Sequence, residues 1–293
     1  QAFLQELFAG MRPKEFQQWT PTHKAGLVID SKLMRTCCGQ LSWVANHSRP
    51  DQAFLASYLQ GVQDNATVGH VAMYNKAVRE MKTRKVCLKF PSVPVEQWRL
   101  LAITDAGWAT RENGESQGGL LLCLCEQRVL EQQEGTTWII EWSSKKLRRV
   151  VRSSTAAETM AAQGGLDALE FMQAFLQELF AGMRPKEFQQ WTPTHQAGLV
   201  IDSKSLYDAL TRAACSTALA VEKRLAIDYS IARASLRECN VFPFWINNLR
   251  MAADTLTKLK GSKDLLFKLM DLTLFHIQPC TESGRKEQQR GRA

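Results

Sequence analysis

The sequence has no run of 18 or more uncharged apolar residues, so no part of it is expected to cross a membrane as a helix. Its first residues do not order into a basic stretch, an apolar core and a small-residue cleavage site, so no secretory signal is read there. Starting on Gln rather than Met, the chain reads as a fragment or an incomplete gene product. None of its eight cysteines (Cys37, Cys38, Cys87, Cys123, Cys125, Cys215, Cys239 and Cys280) forms a C-x-x-C pair, so neither a zinc knuckle nor a redox motif is signalled. Reduced core thiols in the cytosol or nucleus are expected instead. His23, His47, His70, His195 and His276 show no metal-ligand spacing, and no Gly-rich phosphate loop or nucleophile elbow is present. What is there is ordinary: 45% hydrophobic and 23% charged over 293 residues, enough apolar material for one or two packed domains. Lys and Arg number 37 against 29 Asp and Glu, and the net charge of +8 permits an anionic partner without requiring one.

Residues 1–32 and 173–204 are identical except that Lys24 becomes Gln196. Near-identity over one segment with an abrupt end is the mark of a recent duplication or an assembly error, not of a solenoid. The second copy continues a longer pattern, so residues 1–32 are the orphan, expected to pack loosely as an extra helix. Residues 27–30 repeat the strand-like 199–202 and are capable of competing for its place.

"PDQAFLASYLQGV" and "TVGHVAMYNKAVREMK" carry apolar residues at helical spacing, with Thr67 as N-cap of the second. Residues 89–97 hold two prolines and no period, which reads as a linker. From residue 98 the pattern becomes βββ-α-β-α-α-β-α. "WRLLAIT", "GGLLLCLCE" and "TTWIIEW" are strands, residues 155–183 a long helix opened by Thr155 and Glu158, and "AGLVID" a fourth strand. "SKSLYDALTRA" and residues 218–238 are helices, "VFPFWI" a fifth strand and "RMAADTLTKLK" a short final helix. Gly164 and Gly165 should each weaken the long helix by about 1 kcal/mol relative to Ala. Residues 279–293 are polar and basic and are expected to be disordered.

Strands one and four each end in an apolar run plus Asp, "LAITD" and "LVID". A β-α-β crossover makes them parallel neighbours about 4.8 Å apart. Asp105 and Asp202 then sit side by side at the carboxyl edge of the sheet, where open α/β sheets place ligands. Glu158 falls at the start of the helix between them, and Asp254 at the start of the last helix. So many close carboxylates cannot all ionise without a cation. An all-oxygen site suits magnesium or manganese, and two such ions about 4 Å apart perform phosphodiester cleavage. Each acid also has a structural reading: Asp105 and Asp202 as strand-end caps, Glu158 in a capping box with Thr155, Asp254 at the positive end of a helix dipole. "KKLRRVVR" (145–152) is either a phosphate-contacting stretch or a solvated loop, and Trp142 and Trp245 read as core.

The words "TDAGWATRENGESQGG" (104–119), "WSSKK" (142–146), "SSTAAETMAA" (153–162), "VIDSKSLYDAL" (200–210) and "AADTLTK" (252–258) occur in that order. The series resembles the ribonuclease H domain of copia-type LTR retrotransposon Pol polyproteins. "GQLSWVANHSRPDQAF" (39–54) and "NATVGHVAMYNKAVREMK" (65–82) resemble the segment after the reverse transcriptase palm in the same polyproteins. The resemblance implies a ribonuclease H-like α/β fold, a five-stranded mixed sheet of order 3-2-1-4-5 flanked by helices and preceded by a small helical segment. It divides the chain into the orphan 1–32, a connection segment 33–88, the linker 89–97, a ribonuclease H-like domain 98–262 and a C-terminal helix with basic tail 263–293. It also implies two-metal (Mg2+ or Mn2+) hydrolysis of the RNA strand of RNA/DNA hybrids, with Asp105, Glu158, Asp202 and Asp254 as catalytic metal ligands. Lys145, Lys146, Arg148, Arg149 and Arg152 would contact the hybrid, and the reverse transcriptase domain of the same polyprotein would be a partner, in a cytoplasmic virus-like particle or the nucleus. The family's histidines before the fifth strand are missing, Arg224 standing near one of them. A catalytically inactive nucleic-acid-binding remnant is the alternative, and a host-adopted interaction module a third.

Overall fold

The computed structural model describes residues 31–111, 114–181, 196–212 and 223–278. The orphan copy up to residue 30, its competing "LVID" and the tail from 279 lie outside the described residues. Two compact units are formed, Gln1–Leu41 with Leu59–Arg84 and Ser42–Tyr58 with Lys85–Ala293.

The first unit draws on three helices: α1 (Ser31–His47), α2 (Ala53–Val62) and α3 (Val68–Thr83). Its interior holds Met34, Cys37, Cys38, Leu41, Leu59, Val71, Tyr74 and Val78, and the Tyr74 hydroxyl donates to Gln40 Oε1 at 2.8 Å. Thr67 starts α3 as expected; its backbone N–H donates to His70 Nδ1 at 3.0 Å.

The second unit is built on β1 (Trp98–Gly107), β2 (Gln117–Glu126), the one-turn α4 (Gln127–Leu130) and β3 (Gly135–Lys146). There follow α5 (Ser154–Ala181), β4 (Ala197–Ile201), α6 (Lys204–Thr211), α7 (Lys223–Glu238) and β5 (Val241–Trp245). Two short 3-10 turns, α8 (Asp264–Leu272) and β6 (Leu274–Phe275) complete it. The sheet order is β5-β4-β1-β2-β3-β6: antiparallel across β1–β2–β3 and parallel across β1–β4–β5. This is the 3-2-1-4-5 order that the resemblance implies, with a sixth strand added beside β3. A two-residue strand pairing Gly135 with Phe275 is too short to leave a period in the sequence.

β1 is buried from Leu100 onward because both of its faces are covered. Leu101 and Ile103 face one core with Cys123, Met251, Leu256 and Phe267. Leu100 and Ala102 face the other with Leu166, Leu169, Leu199 and Tyr229, beneath α5 and α7. The glycine pair in α5 divides in role. A Cβ on Gly165 would stand 2.6 Å from Thr104 Cγ2 and 3.3 Å from Leu199 Cδ1, so its absence lets the helix lie directly on β1 and β4. Gly164 faces open space.

Two local expectations fail. The capping box of Thr155 and Glu158 is not formed: Ser153 Oγ accepts from the backbone N–H of Ala156 at 3.2 Å, so α5 starts one residue earlier and Glu158 falls in its second turn. "RMAADTLTKLK" is not an α-helix. Ala252–Leu256 is a 3-10 turn, and Thr255 Oγ1 donates out of it to Ser262 O at 2.6 Å. Threonine hydroxyls that bond elsewhere, on β-branched side chains, disfavour continued helix.

Gly164→Ala should raise the melting temperature, by roughly 2–4 °C for about 1 kcal/mol of helix propensity. Gly165→Ala should lower it, because Thr104 is fully buried and has nowhere to retreat. Equal effects at the two positions in a thermal melt would contradict this packing.

Candidate metal centre

β1 and β4 run parallel with Ile103 opposite Val200, so two residues further on Asp105 is level with Asp202. α5 lies across the same strands and brings Glu158 in from its second turn. One carboxylate oxygen from each of Asp105, Glu158 and Asp202 lies within 4.8 Å of the others. Asp105 is 2% exposed and Glu158 9%. Glu158 Oε2 is buried without a hydrogen-bond partner among the described residues. An orphaned buried acceptor costs about 1–3 kcal/mol, more for a charged group.

The electrostatics follow from that crowding. Burial, and then the charges of Asp105 and Asp202, hold the Glu158 carboxyl well above the usual range. Burial, then Asp105, push Asp202 up to about 7. Asp105 is raised by burial, against the hydrogen bond from Thr257 and the charge of Lys258. Three carboxylates with oxygens this close fit a divalent cation, whose charge removes the repulsion.

Asp254 stands apart from these three. Its Oδ1 pairs with the Lys258 ammonium, four residues on. The turn that carries it lies against β2, where a Cβ on Gly119 would meet Leu256 Cβ and Thr257 Cγ2, each at 2.8 Å. The Thr257 hydroxyl donates to Asp105 Oδ2. The turn is tied down by a buried relay. Arg111 donates to Gln117 Oε1 at 2.7 Å and to the carbonyl of Ser57 at 2.8 Å. Gln117 Nε2 donates to Ser144 Oγ at 2.8 Å, and Ser144 Oγ to the carbonyl of Leu256 at 2.6 Å. Asp202 is steadied from β5, where Trp245 Nε1 donates to its carbonyl at 3.0 Å. No sequence pattern marks Thr257, Lys258, Ser144, Gln117 or Trp245 as a site residue. The first four lie within "ADTLTK", "WSSKK" and "SQGG", and Trp245 lies in "VFPFWI". Trp142 and Trp245 are half-buried; Trp142 packs against the core and donates from Nε1 to Ala45 O at 2.7 Å.

The five basic residues of "KKLRRVVR" are exposed. Lys146 pairs with Glu115 at 2.9 Å and Arg149 with Asp228 at 2.8 Å. Arg149 and Arg152, with Lys223 and Arg224, line a cleft of about 270 Å³ beside Ala156 at the start of α5. Lys145, Lys146 and Arg148 do not line it.

No protein-family model and no curated protein matches the sequence. Among solved structures, the chain is similar to RNase H1 of Halobacterium salinarum NRC-1, with 18% identity and a TM-score of 0.36 over 54% of this chain and 94% of that one. It is also similar to the N-terminal RNase H domain of Rv2228c from Mycobacterium tuberculosis, with 16% identity and a TM-score of 0.34 over 60% and 96%. A foamy viral protease-reverse transcriptase solved with dsDNA is similar at 14% identity and a TM-score of 0.28 over 57% and 96%.

Folded Asp202 keeps its proton up to about pH 7, whereas unfolded Asp loses it near about pH 4. The stability associated with that proton is fully present below the unfolded value and is lost as pH rises through the folded one. The metal-free chain should therefore melt lower at about pH 8 than at about pH 5.5. Asp202→Asn should flatten the difference, and added Mg2+ or Mn2+ should restore the loss at the higher pH. Thermal melts that rise with pH over this window, or that Asp202→Asn leaves unchanged, would contradict the arrangement.

Proposed function

We propose that this chain is a divalent-metal-dependent ribonuclease H that hydrolyses the RNA strand of RNA/DNA hybrids. We also assign it to a copia-type LTR retrotransposon polyprotein, where it would act beside the reverse transcriptase domain. The observation that carries the reading is the three-carboxylate cluster, with the orphaned Glu158 oxygen, at the carboxyl ends of the parallel strands β1 and β4. The ordered words of the sequence add the retrotransposon origin and the division into a connection segment (33–88) and a ribonuclease H-like domain (98–262).

Asp105, Glu158 and Asp202 would hold the cations, with Asp254 as the fourth ligand. When bound, two divalent cations activate a water and stabilise the charge on the leaving oxygen of a phosphodiester. The protein's own part is positioning. Thr257 occupies Asp105 Oδ2 and so fixes the rotation of that carboxylate. Trp245 fixes the backbone of Asp202. Arg148, Arg149, Arg152, Lys145 and Lys146 would meet backbone phosphates, a contact that weakens with salt. The minor groove of the hybrid, with 2′-hydroxyls on one strand, would set the choice of strand.

The test is a labelled RNA/DNA hybrid incubated with the full chain and Mg2+. Cleavage of the RNA strand only, lost in Asp105→Asn and dependent on the cation, is expected. Binding of the hybrid without cleavage would overturn the enzymatic reading in favour of an inactive nucleic-acid-binding remnant.

A further inference from the structure

Lys258 ends the turn that carries Asp254. Its Nζ pairs with Asp254 Oδ1, while the hydroxyl of neighbouring Thr257 donates to Asp105 Oδ2. One short turn thus delivers an ammonium and a hydroxyl to two of the four acids. The three-oxygen group of Asp105, Glu158 and Asp202 does not include Asp254. Asp254 is instead engaged by the lysine. The charge of Lys258 reaches Asp105, Asp202 and Glu158 as well, acting on each against the effect of burial.

We propose that Lys258 is a built-in counter-cation of the carboxylate cluster, holding Asp254 until a divalent cation displaces it. The inference rests on the reading of the cluster as a metal centre. Its physical logic has three parts. Three crowded carboxylates with Asp254 nearby need positive charge whether or not a metal is present, and a lysine four residues from Asp254 supplies one unit of it. The pair is partly open to water, the Lys258 side chain being 46% exposed and Asp254 26%. It is therefore screened and exchangeable, unlike a sealed ion pair. Finally, the ammonium sits on a flexible four-carbon stem, so it can leave Asp254 for solvent while the turn, tied at Leu256 and Thr257, stays in place. The same charge that steadies the metal-free cluster opposes the arriving cation. Lys258 would thereby lower cation affinity, and Asp254 would become a ligand only after the exchange.

The experiment is calorimetric titration of Mn2+ into the metal-free full chain at one pH, with wild type, Lys258→Met, Lys258→Arg, Asp254→Asn and the Lys258→Met/Asp254→Asn pair. Circular dichroism melts of each variant establish that it folds. Lys258→Met should bind Mn2+ roughly tenfold more tightly, since a like charge is removed and Asp254 is freed. Lys258→Arg keeps the charge and should bind like the wild type. Asp254→Asn should change affinity little when Lys258 is present, and should abolish most of the gain when Lys258 is Met. Unchanged or weaker binding in Lys258→Met, or an equal loss from Asp254→Asn in both backgrounds, would overturn the inference while leaving the metal centre standing. Absence of Mn2+ binding in every folded variant would overturn the metal centre itself, and this inference with it.

Discussion

One carboxyl oxygen from each of Asp105, Glu158 and Asp202 lies within 4.8 Å of the others, and Asp105 and Glu158 are almost wholly shielded from solvent. Left ionised and bare they would drive the sheet edge apart, so the surrounding elements must hold them together. Two parallel strands fix the aspartates at one level, and the absence of a side chain at Gly165 lets α5 close down to deliver Glu158. The apolar run of β1, buried on both faces, anchors the whole edge against that repulsion. The remaining discomfort is visible in the raised carboxyls and in the unpartnered Glu158 oxygen. A divalent cation relieves both at once, which is why the arrangement points to metal chemistry more strongly than four acids in a sequence do.

The site also draws on a part of the chain that precedes the acid-bearing strands. Residues 42–58 belong to the same compact unit as the sheet. Ser57 receives Arg111, and through Gln117 and Ser144 the contact continues to the turn that holds Thr257 against Asp105. In the "SRPDQ" stretch, Arg49 and Asp51 form a buried pair at 2.7 Å, and Lys263, just after that turn, approaches Asp51 at 3.8 Å. The upstream segment and the segments that carry the acids are thus joined by buried polar contacts, where a missing partner is expensive.

The strands and the pairing of β1 with β4 were legible because apolar runs ending in Asp have a simple meaning at a parallel sheet edge. The long helix was legible from its period. Its N-cap was not: Thr155 with Glu158 fits a capping box on paper, but the glutamate turns to the other acids and Ser153 caps instead. The 3-10 form of Ala252–Leu256 was hidden because Thr255 and Thr257 bond to distant partners that local propensity does not see. Gly165 looked like a weakness and is a contact surface. Lys258 and Thr257 were written in the same word as Asp254, and only the folded turn shows that they attend to the acids.

The most direct test of the central claim is made at Glu158. Glu158→Gln removes one of the three carboxyls while keeping the shape of the side chain. If three crowded carboxylates form a cation site, the variant should melt higher than the wild type without metal at about pH 8 and should bind Mn2+ far more weakly in calorimetry. A variant that melts lower without metal and binds Mn2+ as the wild type does would contradict it.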